Sequence, residues 1–335
     1  MKYSTIANVI LSVLFCAALY TSLHLYGELL PDHERDLSYY INSSQLLQIW
    51  LEVFVLAPYL LILSLFSSLG FNFLATICIF ALFFSFYSLK LLSKYGISAL
   101  PRSLLIFCSY YPLCAIALDS PKFLFSVVIL LVALDLLPVG SADSFQINRG
   151  RLIVPFLFAI CSAIHFQSLF LLAFGYLNHF PKLAYSVLSS VRKSSLKKSS
   201  IVIILLLIVF LLVGFVAWQA KISFYLAYNP GIEISQVLGS LVFVLGAAVL
   251  TKKDSRYIAV SYLFLLLIVG IALGWLGRLN LIFFLLFVYS LALAPRISAR
   301  SKTLFFCMLS FFLFLFKQVP FYILLSRGCN PFAGC

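Results

Sequence analysis

The chain has 335 residues, of which 64% are hydrophobic and only 10% charged, with a mean hydropathy of +1.12. No soluble domain tolerates that surface composition, so the sequence reads as a polytopic, all-α integral membrane protein. The net charge of +13 occurs as short clusters between apolar runs and not as one stripe. Such clusters fit loop charge that orients a chain in a bilayer and argue against a nucleic-acid surface.

Taken in order, the hydrophobic segments fall at 5–27, 45–69, 71–89, 103–118, 123–138, 152–178, 201–220, 234–250, 257–275, 279–294 and 303–324. Runs such as 201–218 and 257–276 carry no charge and are long enough for a hydrocarbon core of about 30 Å. They also lack the period-2 alternation of a membrane β-barrel. The opening segment reads as a retained first span, because its apolar run is long and no small-x-small cleavage site precedes Pro31. Cys16, Cys78, Cys108, Cys114, Cys161 and Cys307 lie inside apolar runs, where a thiol behaves as a small hydrophobe. Cys329 and Cys335, in the tail, are able to pair only in an oxidising compartment. No CxxC and no His/Cys cluster suggests a metal.

Which segments cross fully is decided by loop charge. If every segment crosses once from a cytoplasmic N-terminus, 13 of the 23 Lys and Arg residues fall inside, with Lys90, Lys94, Arg102, Arg149 and Arg151 outside. If 45–69 and 152–178 instead enter and return, 17 of the 23 fall inside, a much better positive-inside score. Local features agree with both returns. Gln45, Gln48, Glu52 and Pro58 interrupt the first segment, and Arg149, Arg151, Lys182, Arg192, Lys193, Lys197 and Lys198 flank the second on both sides. Broken backbone at membrane depth is tolerated where it lines a protein-buried wet cavity. The expected organisation is one transmembrane domain over 1–335, with the N-terminus cytoplasmic and the C-terminus periplasmic.

In that arrangement the chemistry faces outward. The segment 152–178 carries His165, Gln167 and Ser168 in its middle. An ionisable group at membrane depth is a functional-site hypothesis, weighed here against a histidine hydrogen-bonded inside a helix bundle. The first loop holds Asp36, Tyr39 and Tyr40, followed by Glu52 where the next apolar segment begins. Aromatic faces beside carboxylates suit sugars, whereas an interfacial aromatic belt is the plainer account. Asp119 and Lys122 sit in the turn between two spans. Arg278 lies between two apolar segments with Gly274 and Gly277 near it, and its guanidinium fork fits phosphate oxygens.

The order of these features resembles the EpsG-like and Wzy-type polysaccharide polymerases of bacterial inner membranes, including O-antigen polymerases. The resemblance spans about residues 30–290. It rests on the early Asp36-Tyr39-Tyr40 loop, Glu52 opening the next segment, a basic residue starting a middle span, the His165-Phe166-Gln167-Ser168 run, and Arg278 before a late span. Two positions depart from the family pattern. The histidine run is one residue longer than the family's compact form, and the middle basic position is Lys122-Phe123 where the family has Arg followed by Gln, leaving Arg149 and Arg151 as other candidates for that role.

The resemblance implies a GT-C-like helical bundle of about nine to eleven hydrophobic segments, some re-entrant. It also implies transfer of a growing glycan from undecaprenyl pyrophosphate to a new lipid-linked repeat unit, at the periplasmic face, with no metal and no cofactor. The expected partners are undecaprenyl-pyrophosphate-linked oligosaccharides, membrane lipids and a chain-length regulator protein. Under that reading His165 is the first choice of general base, with Asp36 and Glu52 as rivals. Arg278 and Lys122 bind the pyrophosphate, and Tyr39, Tyr40, Gln167 and Ser168 contact substrate. A lipid-linked oligosaccharide flippase is the leading alternative, although no symmetric pair of broken segments is present. A membrane acyltransferase needs a carboxylate close in sequence to His165, and none is there.

Overall fold

A computed structural model of the chain describes residues 2–26, 50–94, 96–108, 121–136, 234–250, 256–272, 297–315 and 319–328, together with isolated helical positions at 157, 160, 164, 283, 284, 287, 288 and 291. The described residues are all helical apart from short turns. In chain order the helices are α1 (Lys2–Tyr26), α2 (Trp50–Ser68), α3 (Phe73–Lys94), α4 (Ala99–Cys108), α5 (Pro121–Leu136), α6 (Ile234–Leu250), α7 (Arg256–Ala272), α8 (Ala299–Leu313) and α9 (Val319–Ser326). Two compact units are present, one built from Met1–Asp135 with Ile297–Cys335 and the other from Leu136–Arg296. Among the described residues two helices, α1 over Ser4–Thr21 and α3 over Leu74–Lys94, are long and apolar enough to cross a membrane.

Burial in both units runs opposite to that of a water-soluble bundle. Helix α1 buries Asn8 and Ser12 beside Phe15 and Leu19, while Ile6, Ile10, Val13 and Leu14 are exposed. Helix α8 repeats the pattern, with Lys302 and Ser310 buried and Leu304, Phe305, Met308, Phe311 and Phe312 exposed. In α6, Ser240 is buried while Leu238, Val242, Leu245 and Val249 are exposed. A solvent of hydrocarbon favours that partition, since apolar side chains gain nothing by leaving it and polar ones gain partners inside. Several inward hydroxyls return to their own helix: Ser12 donates to the Asn8 carbonyl at 2.7 Å, Ser126 to Phe123 at 2.8 Å and Ser310 to Phe306 at 2.7 Å. Such bonds satisfy a hydroxyl without breaking the backbone ladder.

In the first unit three helices fix each other's direction. Ser4 and Ser93 hydroxyls meet at 3.0 Å, and Cys16 Sγ donates to the Cys78 carbonyl at 3.1 Å, so α1 and α3 run antiparallel. The Phe80 and Phe125 rings lie 4.9 Å apart and Lys90 Nζ lies 2.6 Å from Asp135 Oδ2, a constant offset of residues that makes α3 and α5 parallel. The start of α1 therefore shares an end of the unit with the end of α3. Its far end, at Tyr26, shares the opposite end with Phe73 and Lys122.

That geometry bears on the loop-charge count. Lys90, Lys94 and Arg102 stand at the end where α1 begins. If α1 and α3 both span, the stretch between them crosses an even number of times. The antiparallel pair differs from the arrangement in which every segment crosses once, where the helices of 5–27 and 71–89 would run in the same direction. Pro58, however, does not break α2, which continues as one helix from Trp50 to Ser68.

Both turns around α3 close in the same way. Gly70 N–H donates to Ser67 O and Phe71 N–H to Phe66 O, and the pair is repeated by Gly96 to Ser93 and Ile97 to Leu92. These are Schellman closures, which need a residue at positive φ, and Gly70 and Gly96 supply it at +85° and +81°. Asn72 then caps α3, its side-chain oxygen accepting from Ala75 N–H at 2.8 Å. The two turns make opposite sides testable. Cysteines placed at exposed Leu69 and Ser98, in a background lacking the native ones, should differ completely in labelling by an impermeant maleimide on intact cells. Labelling of both from one side would overturn the antiparallel span pair.

The second unit packs α6 on α7. Val244, Ala247 and Ala248 of α6 and Leu263, Leu266 and Leu267 of α7 are buried, as are Phe283, Phe284, Phe287 and Leu291. The Phe287 ring lies flat against Gly246, where an added Cβ would stand 2.5 Å from one ring carbon and 2.7 Å from another. Gly246→Ala should therefore cost about 1–3 kcal/mol by overpacking. Unfolding in detergent checks it, and an unchanged midpoint would mean that the ring yields freely.

The helix bounds differ from the apolar segments at two places. Segment 303–324 falls on α8 and α9, with residues 316–318 outside the described ones. Helix α3 runs past Leu89 to include Lys90 and Lys94, because both lysines find acceptors on α5.

Candidate functional site

Of the residues the sequence singles out, Lys122 is the one whose side chain the structure describes. The helix starts at Pro121, which has no N–H to lose there, so Lys122 belongs to the first turn of α5 and not to the preceding loop. Its side chain is only 7% exposed. Glu52 stands in the first turn of α2, and its side chain lies outside the described residues. His165, Gln167, Ser168, Asp36, Tyr39, Tyr40 and Arg278 also lie outside them, as do Arg149 and Arg151. Ile164, next to His165, is helical and buried. The structure therefore does not bring the predicted constellation together within its described part.

The helix that carries Lys122 meets α2 and α3 in an aromatic cluster. Phe125, one turn further along α5, lies 5.6 Å from the Tyr59 ring of α2 and 4.9 Å from Phe80 of α3. Tyr59 lies 6.3 Å from Phe80, and Phe66 lies 6.2 Å from Phe80. Tilted ring pairs at these separations contribute roughly 0.5–1.5 kcal/mol each beyond the area they bury.

At the opposite end of the same unit is a polar assembly that composition and motif order did not reveal. Arg102 of α4 is 4% exposed. Its Nη1 donates to Asn8 Oδ1 at 2.6 Å and to the Leu89 carbonyl at 3.2 Å, and its Nε donates to the Ser98 carbonyl at 3.1 Å. Nη2 reaches Ser4 Oγ at 3.5 Å. Burial pulls the guanidinium's pKa below its ordinary value, yet the group stays charged. With most of its five N–H groups engaged, it holds three helices and has little left for a substrate anion. Beside it Asp135 accepts from Lys90 Nζ at 2.6 Å, and Lys94 Nζ donates to the Asp135 carbonyl at 2.8 Å, closing the C-terminal turn of α5 with a cation. Lys302 of α8 is buried as well, which lowers its pKa. The signal for this assembly was present as Ser4, Asn8 and Ser12, spaced by four on one face of an otherwise apolar helix.

The two ends of the unit thus differ in chemical type. One carries Arg102 with its Ser4, Asn8, Leu89 and Ser98 partners, together with the Lys90–Asp135 pair. The other carries the buried Lys122, about 20 Å away along α5. Among the described residues no three His, Cys, Asp or Glu side chains come together. Compared with known protein families, with curated proteins and with solved structures, the chain matches none.

Proposed function

We propose that this chain is a multi-pass bacterial inner-membrane polysaccharide polymerase. It moves a growing glycan from undecaprenyl pyrophosphate to the non-reducing end of a new lipid-linked repeat unit at the periplasmic face. The observation that carries the reading is the position of Lys122. It is a buried cation in the first turn of a middle helix, at the end of its unit opposite Lys90, Lys94 and Arg102. The inside-out burial of α1, α6 and α8 supports the membrane setting. The common end of Lys90, Lys94, Arg102 and the start of α1 supports a cytoplasmic N-terminus through the positive-inside rule.

The chemistry needs a base for the acceptor hydroxyl and cations for the departing pyrophosphate. His165 is assigned the first role, since an imidazole near its ordinary pKa of about 6.5 accepts a proton at neutral pH. Arg278 and Lys122 take the second.

The test is the surface-glycan ladder of a strain lacking the chain, with and without complementation. A ladder that collapses to a single core-plus-one-unit band and returns on complementation supports polymerisation. Lipid-linked units trapped on the cytoplasmic side, with no surface unit, would instead make the chain a flippase. An unchanged ladder in the deletion strain removes the glycan reading.

A further inference from the structure

We propose that the basic end of the first unit binds an anionic phospholipid, phosphatidylglycerol, with its phosphate on Lys90 and an acyl chain along the outer face of α3. The site goes beyond the glycan chemistry and needs only the membrane setting. Phe83 and Lys90 are both exposed and lie seven residues apart, so they share one face of α3. Between them the half-buried Phe86 and Tyr87 rings meet edge-on at 5.4 Å, and Lys90 Nζ lies 5.6 Å from the centre of the Tyr87 ring. The face therefore passes from apolar rings to an ammonium within two turns. An acyl chain, the interface and a headgroup phosphate follow one another in the same order.

Charge selects the headgroup. Lys90 donates to Asp135 Oδ2 at 2.6 Å, and its side chain is 46% exposed, which leaves two of its three N–H groups for a phosphate. Lys94, one turn on, donates to the Asp135 carbonyl at 2.8 Å and adds a second cation. Arg102 bonds neutral partners, Asn8, Ser4 and two carbonyls, so its charge is not offset by them. Among the described residues, three cations thus stand with the single carboxylate of Asp135 at this end. A zwitterionic headgroup brings a further ammonium into that excess. Phosphatidylglycerol brings a phosphate charge and hydroxyls, which donate to a carboxylate such as Asp135 without adding positive charge.

The test follows the Tm of the purified full chain in neutral detergent as lipid is added, since a ligand of the folded state raises Tm. Phosphatidylglycerol should act at a mole fraction about fivefold lower than phosphatidylethanolamine requires, and glycerol phosphate should not act at all. Lys90→Gln should move the phosphatidylglycerol midpoint upward about fivefold, the worth of one basic side chain near an anionic headgroup. Asp135→Asn, which removes the competing carboxylate, should move it downward, and Arg300→Gln should leave it in place. Both Lys90→Gln and Asp135→Asn break the same ion pair. A pair with a structural role alone lowers the lipid-free Tm in both and moves neither midpoint, and that result overturns the proposal. So does glycerol phosphate acting as well as the lipid, since the ligand is then a soluble phosphate. If Lys90→Gln does not fold, wild type decides by salt: at about 1 M, where the screening length is about 3 Å, the preference for phosphatidylglycerol should vanish. A preference that persists there overturns the proposal too.

Discussion

Arg102→Met should destabilise the protein by about 1–3 kcal/mol, the cost of leaving a buried acceptor without its donor. The substitution leaves Asn8 Oδ1, now 2.6 Å from Nη1, without that donor in a buried place, while the Leu89 carbonyl keeps its bond within α3. Each orphaned acceptor costs about 1–3 kcal/mol, while the lost charge costs nothing further once it is gone. Arg102→Lys should recover little, because a single ammonium cannot serve acceptors on α1, α3 and α4 together. The informative variant is the pair Arg102→Met with Asn8→Leu. It removes donor and acceptor together and should be more stable than Arg102→Met alone by at least 1 kcal/mol. Detergent unfolding of the two single variants and the pair gives the cycle. Strict additivity would mean that the 2.6 Å contact carries no coupling and that Arg102 acts through packing only.

The same network explains where the sequence was readable and where it was not. Helix α6 falls on the predicted segment 234–250 because its apolar run is bounded by polar residues on both sides. Arg102, by contrast, reads in the sequence as loop charge before segment 103–118. Its partners lie on two other helices, Asn8 more than ninety positions away, and nothing local to Arg102 announces them. Asp135 fits an apolar run equally badly until Lys90 and Lys94 are seen across from it.

The apolar helices α1 and α3 were legible from the length of their runs and their lack of charge. The continuity of α2 through Pro58 was not, because a proline weakens a helix locally while its neighbours decide whether it ends. Of the candidate site, Lys122 was found by its place between two apolar runs. Its burial was not foreseen, because burial is set by which segments pack around the start of α5 and not by the residues next to it in sequence.

His165→Ala and Arg278→Ala should each abolish chain growth, leaving one repeat unit on the surface core where wild type gives a ladder. A positioned base contributes about 10²- to 10⁴-fold, and a cation on a leaving group about 10²- to 10³-fold. Either loss takes extension below the rate at which single units are ligated. Arg278→Lys should restore little if the guanidinium is bidentate to phosphate oxygens, and substantially more if only charge matters. Lys122→Ala should weaken extension less than Arg278→Ala, and Lys122→Arg should retain activity if the position supplies only positive charge. Arg300→Ala, exposed on the first turn of α8, should leave the ladder intact and controls for the loss of a positive charge. Membrane abundance must match wild type for all of them. Near-wild-type ladders from both His165→Ala and Arg278→Ala would remove these two residues from the mechanism while leaving the deletion-strain test of polymerisation untouched.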